Sequence, residues 1–141
     1  MRYLGLDFGE KTIGMSISDK TGTIASSYNT LNYNEDYISL FEEIKKIIED
    51  KNIGKIVLGL PKNMDNSLGK RAILTLEFKE KLEEYLNCGI LLEDERLTTK
   101  EAHKTLIEAD MSRKKRKKIV DKLAATFILQ NYLNKKNNKG D

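Results

Sequence analysis

Tyr3-Leu4-Gly5-Leu6-Asp7-Phe8-Gly9-Glu10-Lys11-Thr12-Ile13-Gly14-Met15-Ser16-Ile17-Ser18 decides the fold. An apolar run ends at an acid and a glycine, and a second run follows in which apolar residues alternate with small polar ones. Apolar runs of this length with period-two alternation, joined by glycine-containing turns, predict two paired strands. Asp19-Lys20-Thr21-Gly22 supplies a second turn, and residues 23–33, rich in Thr, Ser and Tyr, predict a third strand. The chain thus opens as a three-stranded meander.

Working outward, Tyr37, Ile38, Leu40, Phe41, Ile44, Ile47 and Ile48 recur at helical spacing among Glu and Lys, which predicts an amphipathic helix over about 35–51 with Asn34 as its N-cap. Lys55-Ile56-Val57-Leu58-Gly59-Leu60, closed by Pro61, reads as a buried parallel strand. A second helix is expected over 68–86, stopped by Asn87-Cys88-Gly89. A short strand is expected at Ile90-Leu91-Leu92, a short helix over 99–109, and a final helix marked by Val120, Leu123, Ala124, Phe127, Ile128 and Leu133. The order βββαβαβα predicts an α/β fold, a mixed five-stranded sheet with helices on both faces.

The chain has 141 residues, enough for one well-buried core, so one domain spanning 1–141 is expected. Charged residues make up 33% and apolar ones 39%, a balance that excludes a disordered chain. The single cysteine, Cys88, excludes an intramolecular disulfide. With neither a signal peptide nor a membrane span legible, a cytoplasmic protein that does not contact membranes is expected. The formal net charge is only +3, yet residues 111–141 hold ten Lys or Arg against two Asp. The run Arg113-Lys114-Lys115-Arg116-Lys117-Lys118 reads as a basic loop over about 111–118 that attracts a polyanion, nucleic acid above all, with Lys114 and Lys115 as phosphate contacts. A solvated loop is the alternative reading. A polar, frayed tail is expected over 135–141.

Three acids stand against apolar runs: Asp7 at the end of the first strand, Glu95 after the last, and Asp121 in the expected first turn of the final helix. Desolvating an ionised carboxylate is costly unless a cation or hydrogen-bond donor compensates. In the expected sheet all three can converge at the carboxyl edge, where α/β folds place ligands. Hard oxygen ligands without His or thiolate favour Mg²⁺ or Mn²⁺, and phosphodiester hydrolysis is the matching chemistry. Each acid also has a structural role open to it: a helix-dipole partner at Asp121, a turn cap at Asp7, a surface pair with Arg96 at Glu95. Lys70 and Arg71, where a loop enters a helix, suit a phosphate, and Arg96, Thr98 and Thr99 add donors beside Glu95. His103 and Cys88 are not expected to act in catalysis.

Four motifs, DFGEKTIGMSISD, GLPKNMDNSLGKRA, DERLTT and VDKLAATFILQNYL, resemble in order those of the YqgF family, over nearly the whole chain. Its members are described as pre-16S rRNA nucleases, and earlier as Holliday junction resolvases, with an RNase H-like fold. The resemblance implies that Asp7, Glu95 and Asp121 are the catalytic metal ligands, with Glu95 preferred over Asp94, and that Lys70, Arg71, Arg96, Thr98 and Thr99 bind substrate phosphate or shape the site. Thr12 departs from the basic residue that many relatives carry there, which weakens a phosphate role for the first hairpin. The expectation is a metal-dependent nuclease, monomeric or weakly dimeric, that processes the 5′ end of precursor 16S rRNA, with pre-ribosomal particles as possible partners. Cleavage of branched DNA, non-catalytic RNA binding and a sugar-kinase-like ATPase are the competing readings.

Overall fold

Strand β1 (Arg2–Phe8) is the centre of the sheet, because its apolar residues Tyr3, Leu4 and Leu6 are buried and every edge of it is paired. The computed structural model describes residues 1–33, 36–63, 65, 67–95 and 111–138. Strand β2 (Thr12–Ser18) runs antiparallel to β1 with Asp7 opposite Gly14, and β3 (Ala25–Asn32) continues the meander as an exposed, polar edge. Strand β4 (Ile53–Leu60) lies parallel on the other side of β1, and β5 (Leu91–Asp94) parallel to β4. The order β3-β2-β1-β4-β5 is that of the expected mixed sheet, an RNase H-like α/β arrangement.

Helices α1 (Tyr37–Asp50) and α2 (Lys70–Leu86) cover one face. There Leu4, Leu6 and Phe8 of β1 and Ile56 and Leu58 of β4 meet Leu40, Phe41, Ile44, Phe78 and Leu82. Helix α3 (Arg113–Asn138) covers the other face, where Tyr3 and Val57 meet Ile128, Leu129 and Leu133. Strand alternation makes this division: from Tyr3 on β1 and Ile56 on β4, odd-numbered residues point to α3 and even-numbered ones to the helix pair, while Ile53, before the register shift, packs with the helix pair.

Four boundaries differ from the sequence expectation, each for a physical reason. Helix α1 is capped by Asp36, not Asn34: Asp36 accepts from Ser39 N at 3.2 Å and from Ser39 Oγ at 2.8 Å. Strand β5 runs on through Glu93 and Asp94, because Glu93 is buried against Asn131 Nδ2 at 2.6 Å and Lys135 Nζ at 2.7 Å, partners invisible to local pattern reading. The expected basic loop over 111–118 is instead the start of α3, with Ser112 accepting from Lys115 N at 3.3 Å as a cap. Asp121 therefore stands more than two turns inside the helix, not in its first turn, and residues 135–138 of the expected frayed tail are helical. The helix expected over 99–109 lies outside the described residues. Among the described residues, no helix is long and apolar enough to cross a membrane.

Helix α3 comes unusually close to the sheet. A methyl group at Gly5 would overlap Ser16 Oγ and lie 2.8 Å from Leu129 Cβ and 3.1 Å from Ala125 O, while Ser16 Oγ donates to Ala125 O at 2.7 Å. Gln130 fixes the β3 side by accepting from Ala25 N at 2.8 Å and donating to Thr23 O at 2.9 Å. Gly5→Ala is expected to lower the free energy of unfolding by about 1–3 kcal/mol through overpacking. Denaturant titration checks this, and an unchanged midpoint would contradict the close docking.

Candidate active site at the carboxyl edge of the sheet

Because α3 covers the odd-numbered face, Asp7 points the same way as Gly5, towards the helix. The Cβ position of Gly14 lies 3.8 Å from both Asp7 Cβ and Ala125 Cβ, so glycine there leaves a gap between acid and helix. Position 121 stands one turn before Ala125 along α3, on the strip of helix that meets the sheet. The side chains of residues 117, 118 and 120–122 lie outside what the structure describes.

Glu95 follows β5, and its backbone N donates to Leu60 O at 3.2 Å, carrying the β4–β5 ladder one step past Asp94. Alternation returns its side chain to the α3 face, where it fills the notch left by Gly59: a methyl there would overlap Glu95 Oε2 and come within 2.5 Å of Ile128 Cδ1. Asp94 alternates to the opposite face, which supports Glu95 over it as the acid of this pair. Glycines inside strands mark such close approaches. Gly14 and Gly59 make room for the two acids, a steric role that their place in the quoted motifs does not reveal.

Glu95 Oε2 is buried and has no hydrogen-bond partner among the described residues. Burial first, then the charges of Asp7 and Asp94, push the Glu95 carboxyl up to about 7, with Arg71 opposing. A buried carboxylate oxygen without a hydrogen-bond partner among the described residues, on an acid that feels the charge of a second acid, suits a cation ligand. Among the described residues no three Asp, Glu, His or Cys groups form a metal cluster.

Arg71 is held beside this pair. Its Nη2 donates to Phe8 O at 2.6 Å and its guanidinium carbon sits 5.1 Å from the centre of the Phe8 ring. Gly69, which has no side chain to cap with, precedes α2, and Lys70 is exposed there. The loop before it is closed by Asn63 N to Ser67 O at 3.0 Å and Ser67 N to Asp65 Oδ1 at 3.0 Å. Lys114 and Lys115 are exposed on the first turn of α3. The residues Arg96, Thr98, Thr99 and His103 lie outside the described residues. Partial desolvation and the charge of Glu83 raise the Cys88 thiol, which disfavours its reactive thiolate form.

A family model described as "RuvX: Holliday junction resolvase" matches residues 1–135. A protein of Thermoanaerobacter pseudethanolicus named "Putative pre-16S rRNA nuclease" is 51% identical over 140 residues, 99% of this chain and 100% of its own length. One of the same name from Staphylococcus epidermidis is 49% identical over 134 residues, 94% of each chain. Among solved structures, Thermus thermophilus RuvC in complex with a Holliday junction substrate aligns at 10% identity and TM-score 0.49, over 72% of this chain and 69% of that one. The sheet order and the acids at its carboxyl edge define an RNase H-like α/β protein. The chain belongs to the RuvX family, also called YqgF, a family of nucleases that hydrolyse phosphodiester bonds.

The raised Glu95 carboxyl fixes the sign of a pH effect. Its value is about 7 folded against an ordinary 4.5, so the folded state holds its proton more tightly and stability falls as pH rises through that window. In EDTA, unfolding free energy is expected to drop by roughly 3 kcal/mol between pH 4.5 and 8 from this group. Glu95→Gln should flatten that part of the profile; an unaltered slope in the variant would remove Glu95 as its source.

Proposed function

We propose that the chain is a divalent-metal-dependent nuclease that processes the 5′ end of precursor 16S rRNA in the cytoplasm, acting as a single RNase H-like domain. The observation that carries this reading is the buried, unpartnered Glu95 Oε2 set beside Asp7 on the face covered by α3. Asp7, Glu95 and Asp121 would hold Mg²⁺ or Mn²⁺, since an all-carboxylate donor set suits these hard cations. When bound, such an ion supplies Lewis acidity at a phosphate and eases ionisation of the attacking water.

The chain's own residues supply position and charge. Gly59 and Gly14 keep the two acids within the cleft between sheet and helix, where the carboxyl of Glu95 gives up its proton near neutral pH as a cation arrives. Arg71, tethered through Phe8 O, keeps its remaining N–H donors at the rim of the acids, and Lys70 adds a second cation one residue earlier. Arg96, Thr98 and Thr99, which lie outside the described residues, are proposed as further phosphate donors on their sequence position after Glu95 alone. The exposed Lys114 and Lys115 draw the polyanion towards α3. The ribosomal substrate is supported by the names of relatives about half identical over nearly their full length; pre-ribosomal particles are the corresponding partners, and a monomer suffices for one strand.

Purified protein incubated with labelled precursor RNA and with four-way DNA, in Mg²⁺, Mn²⁺ or EDTA, tests the reading. Cleavage of the RNA is expected with either ion and not with EDTA; preferential cutting of the four-way DNA would replace ribosomal RNA by branched DNA as substrate. Asp7→Asn, Glu95→Gln and Asp121→Asn should each reduce cleavage by roughly 100-fold or more while RNA binding persists. Full cleavage in all three would remove these carboxylates as the metal ligands, and RNA binding without cleavage by the wild type would reduce the protein to an RNA-binding module. Lys114→Ala with Lys115→Ala should lower the slope of log affinity against log salt by about 1.4 for single-stranded RNA; an unchanged slope would release these lysines from the interface.

A further inference from the structure

On the other side of the β1 terminus from the acids lies a cavity of about 400 Å³, walled by Phe8, Tyr33, Tyr37, Leu74, Lys70 and Arg71, with Glu10 at its mouth. Its aromatic wall is well fixed. The rings of Phe8 and Tyr33 stack with centres 5.6 Å apart and 17° between planes, and Tyr37 packs against Tyr33 at 5.9 Å. The Tyr33 hydroxyl donates to Gly9 O and Tyr33 N donates to Lys11 O at 3.0 Å, bracing the β1–β2 turn that forms one lip. Tyr37, Leu74 and Arg71 are only half-buried, while Lys70 and Glu10 are exposed, so the hollow has an apolar interior and a charged, wet rim.

The chemistry of that lining is selective. Phe8 is itself stacked between Phe78, at 4.2 Å, and Tyr33, so the hollow presents the half-buried Tyr37 and the guanidinium plane of Arg71 over a fixed aromatic floor, and such a lining attracts a flat π system strongly enough to be visible in affinity. Lys70 and Arg71 call for an anion next to that π system. The Glu10 carboxylate repels a phosphate from the interior yet accepts hydrogen bonds from ring N–H groups. A planar heterocycle carrying a neighbouring phosphate meets all three conditions.

We infer that this cavity is a nucleobase pocket, which takes one unpaired base of the substrate strand among Phe8, Tyr33, Tyr37 and Leu74 while Lys70 and Arg71 hold the adjoining phosphate. The identity of the strand rests on the nuclease reading above. Asp7 and Phe8 are successive residues of an extended strand and point to opposite faces, so the pocket and the acids back onto one stretch of backbone. Arg71 joins the two sides, because it sits on Phe8 and its charge acts on Glu95. A base still stacked in a duplex cannot enter without being unstacked, so the pocket selects a strand that is single at this nucleotide.

The test uses the full chain in EDTA and a short oligouridylate carrying one 2-aminopurine, moved position by position. Binding is expected to quench the fluorophore at one position. Removing the base there should weaken binding about tenfold in the wild type, and by nothing further in Tyr37→Ala or Leu74→Glu. Tyr37→Phe should behave as wild type, and circular dichroism shows which variants are folded. Leu74→Glu, at a half-exposed helix position, keeps the test open should Tyr37→Ala unfold. Quenching at no position, or an equal cost of base removal in wild type and variants, overturns the pocket. Position-specific quenching without cleavage in Mg²⁺ keeps the pocket and removes the nuclease reading; cleavage without quenching does the reverse.

Discussion

The close docking of α3 onto β1 and β2 is the contact on which the candidate site depends. Helix and sheet meet across Gly5, Gly14 and Ser16, and the Ser16 hydroxyl reaches the helix backbone itself at Ala125 O. Larger residues would hold the helix further out and leave Asp7 and Glu95 on an open, solvated face. Closure instead desolvates Glu95, and that desolvation is the main reason its carboxyl titrates near neutrality. Packing at the small residues and acidity at the large ones are one effect.

Two anchors keep the helix from rocking. Gln130 ties it to the residues entering β3, and Asn131 and Lys135 tie it to the buried Glu93 of β5, so its second half spans the sheet from edge to edge. The Lys135 to Glu93 contact pairs an exposed cation with a buried anion at 2.7 Å. Leaving Glu93 unpaired at that depth would cost more than the pair contributes when intact. The edge strand and the helix therefore hold each other in place.

Much of this was legible in the residues. Apolar period and turn chemistry gave the five strands and the three described helices, and the apolar runs before Asp7 and Glu95 set both at strand ends, because those signals are local. What escaped was non-local. Strand β5 hides a buried glutamate whose partners lie 38 and 42 residues on. The start of α3 hides behind six consecutive cations, which read as a solvated loop because an unbroken charge run carries no apolar period. Gly59 looked like one more residue of an apolar strand; only the position of Glu95 shows that a side chain there is forbidden. Asp36 took the cap from Asn34 because its carboxylate reaches both the amide and the hydroxyl of Ser39.

The anchoring of α3 also sets where evolution can change its length. Residues 125, 129, 130, 131 and 135 are each committed to a partner on the sheet, and position 121 lies on the same continuous helix. One residue inserted between 121 and 125 would turn everything before it by about 100° about the helix axis. Position 121 would then face another direction relative to the sheet while the rest of the helix kept its partners. Relatives free to lengthen or shorten this helix should do so ahead of residue 121, among the cations, and keep the spacing behind it fixed.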